Sequence, residues 1–166
     1  MHVGRYCYQK NQTFILKVFK IISERLKNTH LTLIGFGEDE EIIKKEIKEL
    51  NLEKFVTMAS GNSDFIASEF TKSDCMIFPS NFEGFGIVLI EAQASGCYCF
   101  CSEAIQDEAD CGLIKKLSLN DGYEVWANEI INYINSKNDI DYKTLTKKLK
   151  QFDEEVIANQ YAKFYS

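Results

Sequence analysis

Two glutamates with seven residues between them flank a glycine-containing turn and are the first candidates for chemistry. Glu83 precedes Gly84-Phe85-Gly86, and Glu91 follows four aliphatic residues. The apolar run predicts that Glu91 is buried, and a buried carboxylate needs a partner because unpaired burial is costly. A polar ligand such as a sugar hydroxyl is one candidate, with the two glycines allowing close approach of the backbone. Glu83 taken alone could equally cap the helix that follows.

A second candidate is the loop 4–11, which carries Arg5 and Lys10 ahead of a predicted helix. Two cations in one loop suit an anionic diphosphate, since arginine can bind phosphate oxygens through two parallel hydrogen bonds. The helix predicted to begin near Gly86 would add free amide donors and a positive dipole end. The alternative for both cations is that they are ordinary solvated surface charges.

Gly35-Phe36-Gly37 resembles the start of a dinucleotide-binding fingerprint, but that fingerprint requires a third glycine and position 40 is Glu. The glycine pair is therefore interpreted as a tight turn between strand and helix. Close approach to a nucleotide is the functional alternative.

Short apolar runs alternate with longer amphipathic segments along the chain, which predicts an α/β fold with a mainly parallel sheet. The predicted strands are 2–4, 31–34, 55–58, 75–78, 98–101 and 112–114. The predicted helices are 12–27, 39–50, 63–71, 87–95, 122–135, 142–150 and 153–165. The run 87–90 alone could be a strand, but its continuation to Gly96, a plausible helix-terminating glycine, favours a helix. We expect a three-layer Rossmann-like domain of about six strands, with helices on both faces and a helical C-terminus.

The candidate segments all follow predicted strands. Ligands bind at the carboxyl ends of strands in open α/β sheets, so the loops 5–11, 35–37, 59–61 and 79–86 are expected to converge at one edge.

Composition excludes several classes of protein. A net charge of −6 over 166 residues disfavours nucleic acid as a partner, and no apolar run approaches the length of a membrane span. The N-terminus lacks the pattern of a signal peptide. We expect one domain, 1–166, in the cytoplasm.

Six cysteines raise the question of disulfides or zinc. Cys97, Cys99 and Cys101 alternate with the period of a strand, which would turn all three to one face. Structural zinc sites favour ligand pairs separated by two to four residues. The pattern therefore predicts buried reduced thiols and no metal site.

Several segments occur together in one order: Gly4-Arg5 with Gln9-Lys10-Asn11, Leu33-Ile34-Gly35-Phe36-Gly37, Phe78-Pro79-Ser80, and Glu83-Gly84-Phe85-Gly86 leading to Glu91-Ala92. This order resembles the C-terminal, donor-binding domain of retaining glycosyltransferases of family 4 with the GT-B architecture. The residues of these motifs most resemble those of the bacterial capsular and exopolysaccharide members. The resemblance covers about positions 2 to 135.

The resemblance implies roles for individual residues. Arg5 and Lys10 would hold the donor diphosphate and act with Glu83 in catalysis, while Glu91 would accept hydrogen bonds from the ribose. Amides around the turn would hold the transferred sugar and face the phosphate, and the backbone near 58–61 would meet the base. The implied binding residues are Arg5, Lys10, Gly35, Gly37, Met58, Ser60, Glu83, Gly84, Phe85, Gly86, Ile87, Val88 and Glu91.

The resemblance also implies a nucleotide-sugar substrate, most often UDP-linked, catalysis without a bound metal, and a glycan or lipid-linked acceptor. Family members have a second, acceptor-binding N-terminal domain, which is absent from this sequence, so we expect one half of a two-domain enzyme. Peripheral association with the inner face of the cytoplasmic membrane would then belong to the full protein. The alternatives are a nucleotide-sugar epimerase of similar fold, or a non-catalytic sugar-nucleotide-binding or scaffold subunit.

Overall fold

The computed structural model of the protein describes residues 1–136 and 140–153. Their strands and helices alternate until the last two helices. The strands are β1 (His2–Val3), β2 (Leu31–Ile34), β3 (Val56–Ala59), β4 (Cys75–Phe78), β5 (Tyr98–Ser102) and β6 (Ile114–Leu117). The helices are α1 (Gln12–Arg25), α2 (Glu40–Glu49), α3 (Ser63–Lys72), α4 (Ile87–Ala94), α5 (Gly122–Ser136) and α6 (Tyr142–Leu149). The predicted helix 153–165 lies, beyond its first residue, outside the described residues.

The strands form two three-stranded parallel sheets, in the orders β1-β2-β3 and β4-β5-β6. β1 lies beside β4, because Ile77 N donates to Met1 O at 2.9 Å and the His2 ring bonds to Ile77 O at 2.9 Å. Across both sheets the strand order is therefore 3-2-1-4-5-6. In such sheets, ligands bind where the winding reverses, which here is the crevice between β1 and β4.

Helices cover both faces, as the sequence predicts. In β4, Cys75 and Ile77 pack into one core with α1, α2 and α5, whereas Met76 and Phe78 pack into a second core with α3 and α4. Adjacent side chains of a strand point to opposite faces, so a fully apolar strand can serve two cores. The three-layer Rossmann-like prediction is confirmed.

The prediction that Cys97, Cys99 and Cys101 turn to one face and are buried is confirmed. Cys97, Cys99 and Cys101 share the second core, and all six thiols are free, with only Cys7 half-buried. Desolvation raises the pKa of Cys75 to about 11 and the pKa of Cys101 to about 12.

The structure moves the sixth strand from the predicted 112–114 to Ile114–Leu117. The two lysines in this segment obscure its strand character. Lys115 pairs with Glu129, and Lys116 donates to Ile105 O and pairs with Asp107. β6 is the outer strand of its sheet, a position where lysines are common because they discourage edge-to-edge pairing.

The run 87–90, which taken alone could have been either a strand or a helix, forms the start of helix α4. The helix begins after Gly86, whose φ is 75°, and it is followed by Gly96, whose φ is 78°. Both are left-handed conformations that glycine adopts without strain. Across the described residues, no helix is both long and apolar enough to span a membrane.

Candidate functional site

The loops after β1 and β4 are joined by hydrogen bonds. Asn81 donates its backbone N–H to Gln9 O at 2.8 Å and its side-chain Nδ2 to Tyr8 O at 2.7 Å. In the other direction, Asn11 Nδ2 donates to Pro79 O at 3.2 Å. The strand ends thus deliver the two loops to one place, on either side of the β1–β4 crevice.

The loop after β2 packs against the loop after β1 at its two glycines. A Cβ on Gly35 would lie 2.0 Å from Gly4 O, and one on Gly37 would lie 2.3 Å from Tyr6 O. Gly35 also has a φ of 153°. Only glycine fits these positions, so the interpretation of the pair as a tight turn is confirmed.

Three hollows that share lining residues form what we call the groove; two follow this edge, and the third lies between α3 and α4. The first, of about 480 Å³, shares Val3 and Gly4 with the second, of about 390 Å³, and shares Ile66 with the third, of about 190 Å³. The candidate residues in the first are Arg5, Gly35, Gly37 and Ser60. Those in the second are Lys10, Glu83, Phe85, Gly86, Ile87 and Val88, and the third contains Glu91. The predicted convergence is therefore confirmed.

An ion pair between Lys10 and Glu83 lies in the second hollow. Their side chains are only 15% and 10% exposed, although the residues are 73 positions apart. The Lys10 ammonium also lies 4.6 Å from the centroid of the Phe78 ring, a cation–π distance. Glu83 accepts further hydrogen bonds from Gly84 N at 3.1 Å and from Ser80 Oγ at 3.4 Å. Charge at this point of the groove is therefore paired and sheltered from water.

Arg5 has a different environment. Its Nε donates to Glu38 Oε2 at 3.0 Å, with the two side chains 70% and 56% exposed. Hydrogen bonds from its own backbone N–H and from Arg5 hold the pKa of Glu38 below its ordinary value. Exposed pairs of this kind exchange readily with water, so the guanidinium is available to a ligand in the first hollow.

Two buried polar side chains support the β1 loop and were not predicted to matter. Gln12 Nε2 donates to Arg5 O at 2.8 Å and lies 3.3 Å from His2 Nε2. The His2 ring donates from Nδ1 to Ile77 O, and desolvation lowers its pKa to about 3. The ring is therefore neutral, with one donor and one acceptor. The sequence offered one signal for these two residues: a histidine and a glutamine stand at positions where the apolar pattern predicts core residues.

Two buried serines support the β4 loop in the same way. Ser102, at the end of β5, donates from Oγ to Ser80 O at 2.6 Å, and both residues are buried. Ser80 in turn contacts Glu83. The position of Glu83 is thus linked to the end of a neighbouring strand.

The start of α4 faces the second hollow. Its N-cap residue Gly86 offers no side chain, and the first helical residues, Ile87 and Val88, line the hollow. The first amides of a helix lack partners within the helix, and their dipoles favour an anion. The side chain of Ile87 is 66% exposed.

One candidate lies differently from the prediction. Glu91 is exposed, not buried. α4 turns Leu89, Ala92 and Gln93 inward, and Glu91 lies on the outer side, so the preceding apolar run did not indicate burial. The role expected for the backbone near Met58 stays a prediction; the Met58 side chain packs against the core on the α1 face, and Ser60 and Gly61 line the first hollow.

Among residues 1–136 and 140–153, no three His, Cys, Asp or Glu side chains are arranged to hold a metal ion.

Comparison with known proteins identifies a family that this chain matches. Residues 1–110 match the family described as glycosyl transferases group 1. The protein EpsF of Bacillus subtilis, which is named as a glycosyltransferase, is 36% identical over 131 residues, covering 78% of this chain and 34% of EpsF. The chain thus spans about a third of that relative.

Solved structures share the fold. The Anabaena protein Alr3699/HepE, crystallised with UDP, superposes with a TM-score of 0.83 at 19% identity, covering 99% of this chain and 47% of that one. The C-terminal domain of the group 1 glycosyl transferase LpcC from Francisella tularensis gives 0.65 at 19% identity, covering 96% and 84%. With the family match over residues 1–110, these findings show that the chain belongs to the glycosyl transferases of group 1 and has the fold of their C-terminal domain.

Proposed function

We propose that this chain is the donor-binding domain of a retaining glycosyltransferase that takes a sugar from a nucleotide diphosphate sugar, UDP-linked, and transfers it to a glycan or lipid-linked acceptor in polysaccharide biosynthesis. The observation that carries the proposal is the sheltered Lys10–Glu83 pair, which lies beside the start of α4 at the reversal of strand order.

The diphosphate would bind between Lys10 and the first amides of α4, with Arg5 reaching it from the first hollow. These groups are cationic or carry positive partial charge, and each can donate hydrogen bonds. A charge-assisted hydrogen bond contributes about 1.5–3 kcal/mol. Ser60 and Gly61 line the hollow beyond Arg5, which leaves that end of the groove for the base, and Glu91 would meet the ribose.

The transferred sugar would lie against Glu83 and the turn 84–86. Gly84 supports this placement, because its φ is outside the left-handed region and a Cβ there would meet nothing within 4 Å. The fold itself thus does not require glycine at this position, whereas close approach of a ligand to the backbone would.

The reaction would proceed by charge stabilisation. As the bond from the anomeric carbon to the diphosphate breaks, its electron pair leaves with the phosphate oxygen. Lys10, Arg5 and the α4 amides would stabilise this growing charge more than they stabilise the ground state. The acceptor hydroxyl would attack from the same face, and its proton would go to the departing phosphate.

The acceptor would be bound by a second domain outside these 166 residues, since the chain spans only 34% of EpsF. The UDP in the Anabaena structure supports UDP as the nucleotide. Where the acceptor is a membrane lipid, the complete protein would act at the inner face of the cytoplasmic membrane.

Calorimetric titration of the chain with UDP, GDP and ADP tests this proposal. We expect UDP to bind, and Lys10→Ala to weaken it at least tenfold because about 1.5 kcal/mol or more of charge-assisted bonding is lost. Lys45→Ala is the matched control, since that lysine is 77% exposed on α2 and lies outside the groove. The scaffold alternative would be favoured if no nucleotide bound, and an unchanged Lys10→Ala affinity would contradict the phosphate assignment.

A further inference from the structure

We propose that Glu83 competes with the nucleotide diphosphate for Lys10, and that this competition makes the groove retain the sugar-bearing donor and release the free nucleotide diphosphate. The inference rests on the proposed function and deepens it, because it assigns Glu83 a part in discriminating substrate from product.

The two cations of the groove differ in how firmly they are paired. Arg5 and Glu38 are mostly exposed, so water screens their attraction. Lys10 and Glu83 are 15% and 10% exposed, and attraction between opposite charges is stronger where water is excluded. An incoming diphosphate therefore meets an ammonium that already has an anionic partner.

Neither member of the pair can move away easily. The Lys10 ammonium lies over the Phe78 ring, and its stem runs beside Gly4, where a Cβ would be 3.4 Å from Lys10 Cγ. Glu83 is held by Gly84 N and by Ser80 Oγ. A diphosphate that reaches the ammonium would therefore lie close to the Glu83 carboxylate, and two anions at such a distance repel each other.

The transferred sugar resolves this repulsion. A sugar hydroxyl can donate a hydrogen bond to the carboxylate, which gives Glu83 a partner to replace the ammonium. A nucleotide diphosphate without a sugar offers only acceptors at that position. Glu83 therefore favours the donor over the product, and after transfer it reclaims Lys10 and drives the nucleotide diphosphate out.

Titration of UDP against Glu83→Gln, Lys10→Ala and the double variant tests the competition. Glutamine keeps the shape of the side chain and removes its charge. We expect Glu83→Gln to bind UDP at least fivefold more tightly than the wild type, and the gain to vanish in the Lys10→Ala background. Glu49→Gln removes the same charge at the far end of α2, where Glu49 pairs with Lys45, and should leave UDP affinity unchanged.

The outcomes separate the two proposals. UDP affinity that is unchanged or weaker in Glu83→Gln overturns the competition, while the proposed function still stands on the effect of Lys10→Ala. A gain in UDP affinity that persists in the Lys10→Ala background would reflect general repulsion between Glu83 and the diphosphate. That result would also overturn the competition. Absence of UDP binding in every variant overturns the proposed function itself. If the glutamine variant does not fold, Glu83→Ala takes its place. Thermal unfolding checks that this variant is folded, and we again expect it to bind UDP more tightly than the wild type.

Discussion

At the residue scale, the contact between Lys10 and Glu83 determines how charge is arranged in the groove. The two residues are 73 positions apart, and the fold brings their side chains together. That contact depends on β1 and β4 being neighbours, which no local pattern encodes. For Glu91, the preceding apolar run predicted burial. Helix α4 packs on one side only, and Glu91 lies on its exposed side.

His2 shows how a titratable residue can support a loop without touching a ligand. It is fully buried between Ile77 O and Gln12, and Gln12 continues the connection to Arg5 O. A charged imidazolium would lose its acceptor nitrogen and would be poorly solvated, so the fold selects the neutral ring.

We predict that His2 makes stability depend on pH. Its pKa is lowered from 6.5 to about 3 in the folded protein, chiefly by desolvation, so between these values the unfolded chain binds a proton that the folded chain does not. The free energy of unfolding should therefore fall as pH falls below 6.5, by up to about 1.4 kcal/mol per pH unit. Above pH 6.5 this contribution is constant.

Urea unfolding of His2→Asn measures this dependence. Asparagine retains a donor for Ile77 O but does not titrate, so between pH 7 and 4.5 the wild type should lose roughly 2 kcal/mol more than the variant. His30→Asn makes the same replacement at an exposed histidine and is the matched control. Parallel curves for His2→Asn and the wild type would contradict the assignment.

At the scale of elements, most helices and strands were predicted within a few residues because their apolar periodicity is strong. The sixth strand was misplaced because Lys115 and Lys116 occupy an edge position, and edge status depends on the whole sheet. The turn 35–37 was interpreted correctly from its two glycines. Its partner, the β1 loop, could be named only once the sheet order was known.

We predict that Gly35, which lines the groove, and Gly84, in the turn beside it, respond to alanine in opposite ways. Gly35→Ala places a Cβ 2.0 Å from Gly4 O at a φ of 153°, so backbone must shift and stability should fall by at least about 2 kcal/mol. Gly84→Ala meets nothing within 4 Å, so stability should change by less than about 0.5 kcal/mol.

Gly84→Ala should nevertheless weaken binding of UDP-glucose, used as a probe donor, because the added methyl occupies space that a sugar would enter. Urea unfolding gives the two stabilities, and calorimetry gives the affinity. A stable Gly35→Ala variant would mean that the two loops do not pack as described. Full affinity in Gly84→Ala would remove the argument for a sugar beside that turn.

At the scale of the whole molecule, the alternation of strands and helices was enough to predict the three layers and the edge where the candidate loops converge. The order 3-2-1-4-5-6 places Lys10 and Glu83 on opposite sides of the reversal point, and this arrangement explains why one groove contains both. The sequence alone did not specify that order. The buried link from His2 to Ile77 was missed for the same reason, since it joins strands that are 75 positions apart.

The groove of the described residues is open on its outer side, and this openness underlies our last prediction. Ile87, Phe36 and Tyr8 stand 66%, 74% and 75% exposed along the carboxyl edge. An open site admits water around the departing diphosphate and around Arg5, whose side chain is 70% exposed, and water weakens charge stabilisation there. The chain alone should therefore bind a nucleotide sugar weakly and transfer little.

Release of UDP from UDP-glucose, with and without a simple glycoside acceptor, measures transfer by the 166-residue chain. We expect a rate no higher than that of Lys10→Ala, together with UDP binding that Lys10→Ala weakens at least tenfold. The comparison is informative because the wild type and Lys10→Ala share the open groove and differ only in the cation that would stabilise the leaving group. Rapid transfer by the wild type that Lys10→Ala eliminates would show that this domain completes its active site without a companion, and that the exposed edge does not need to be covered for catalysis.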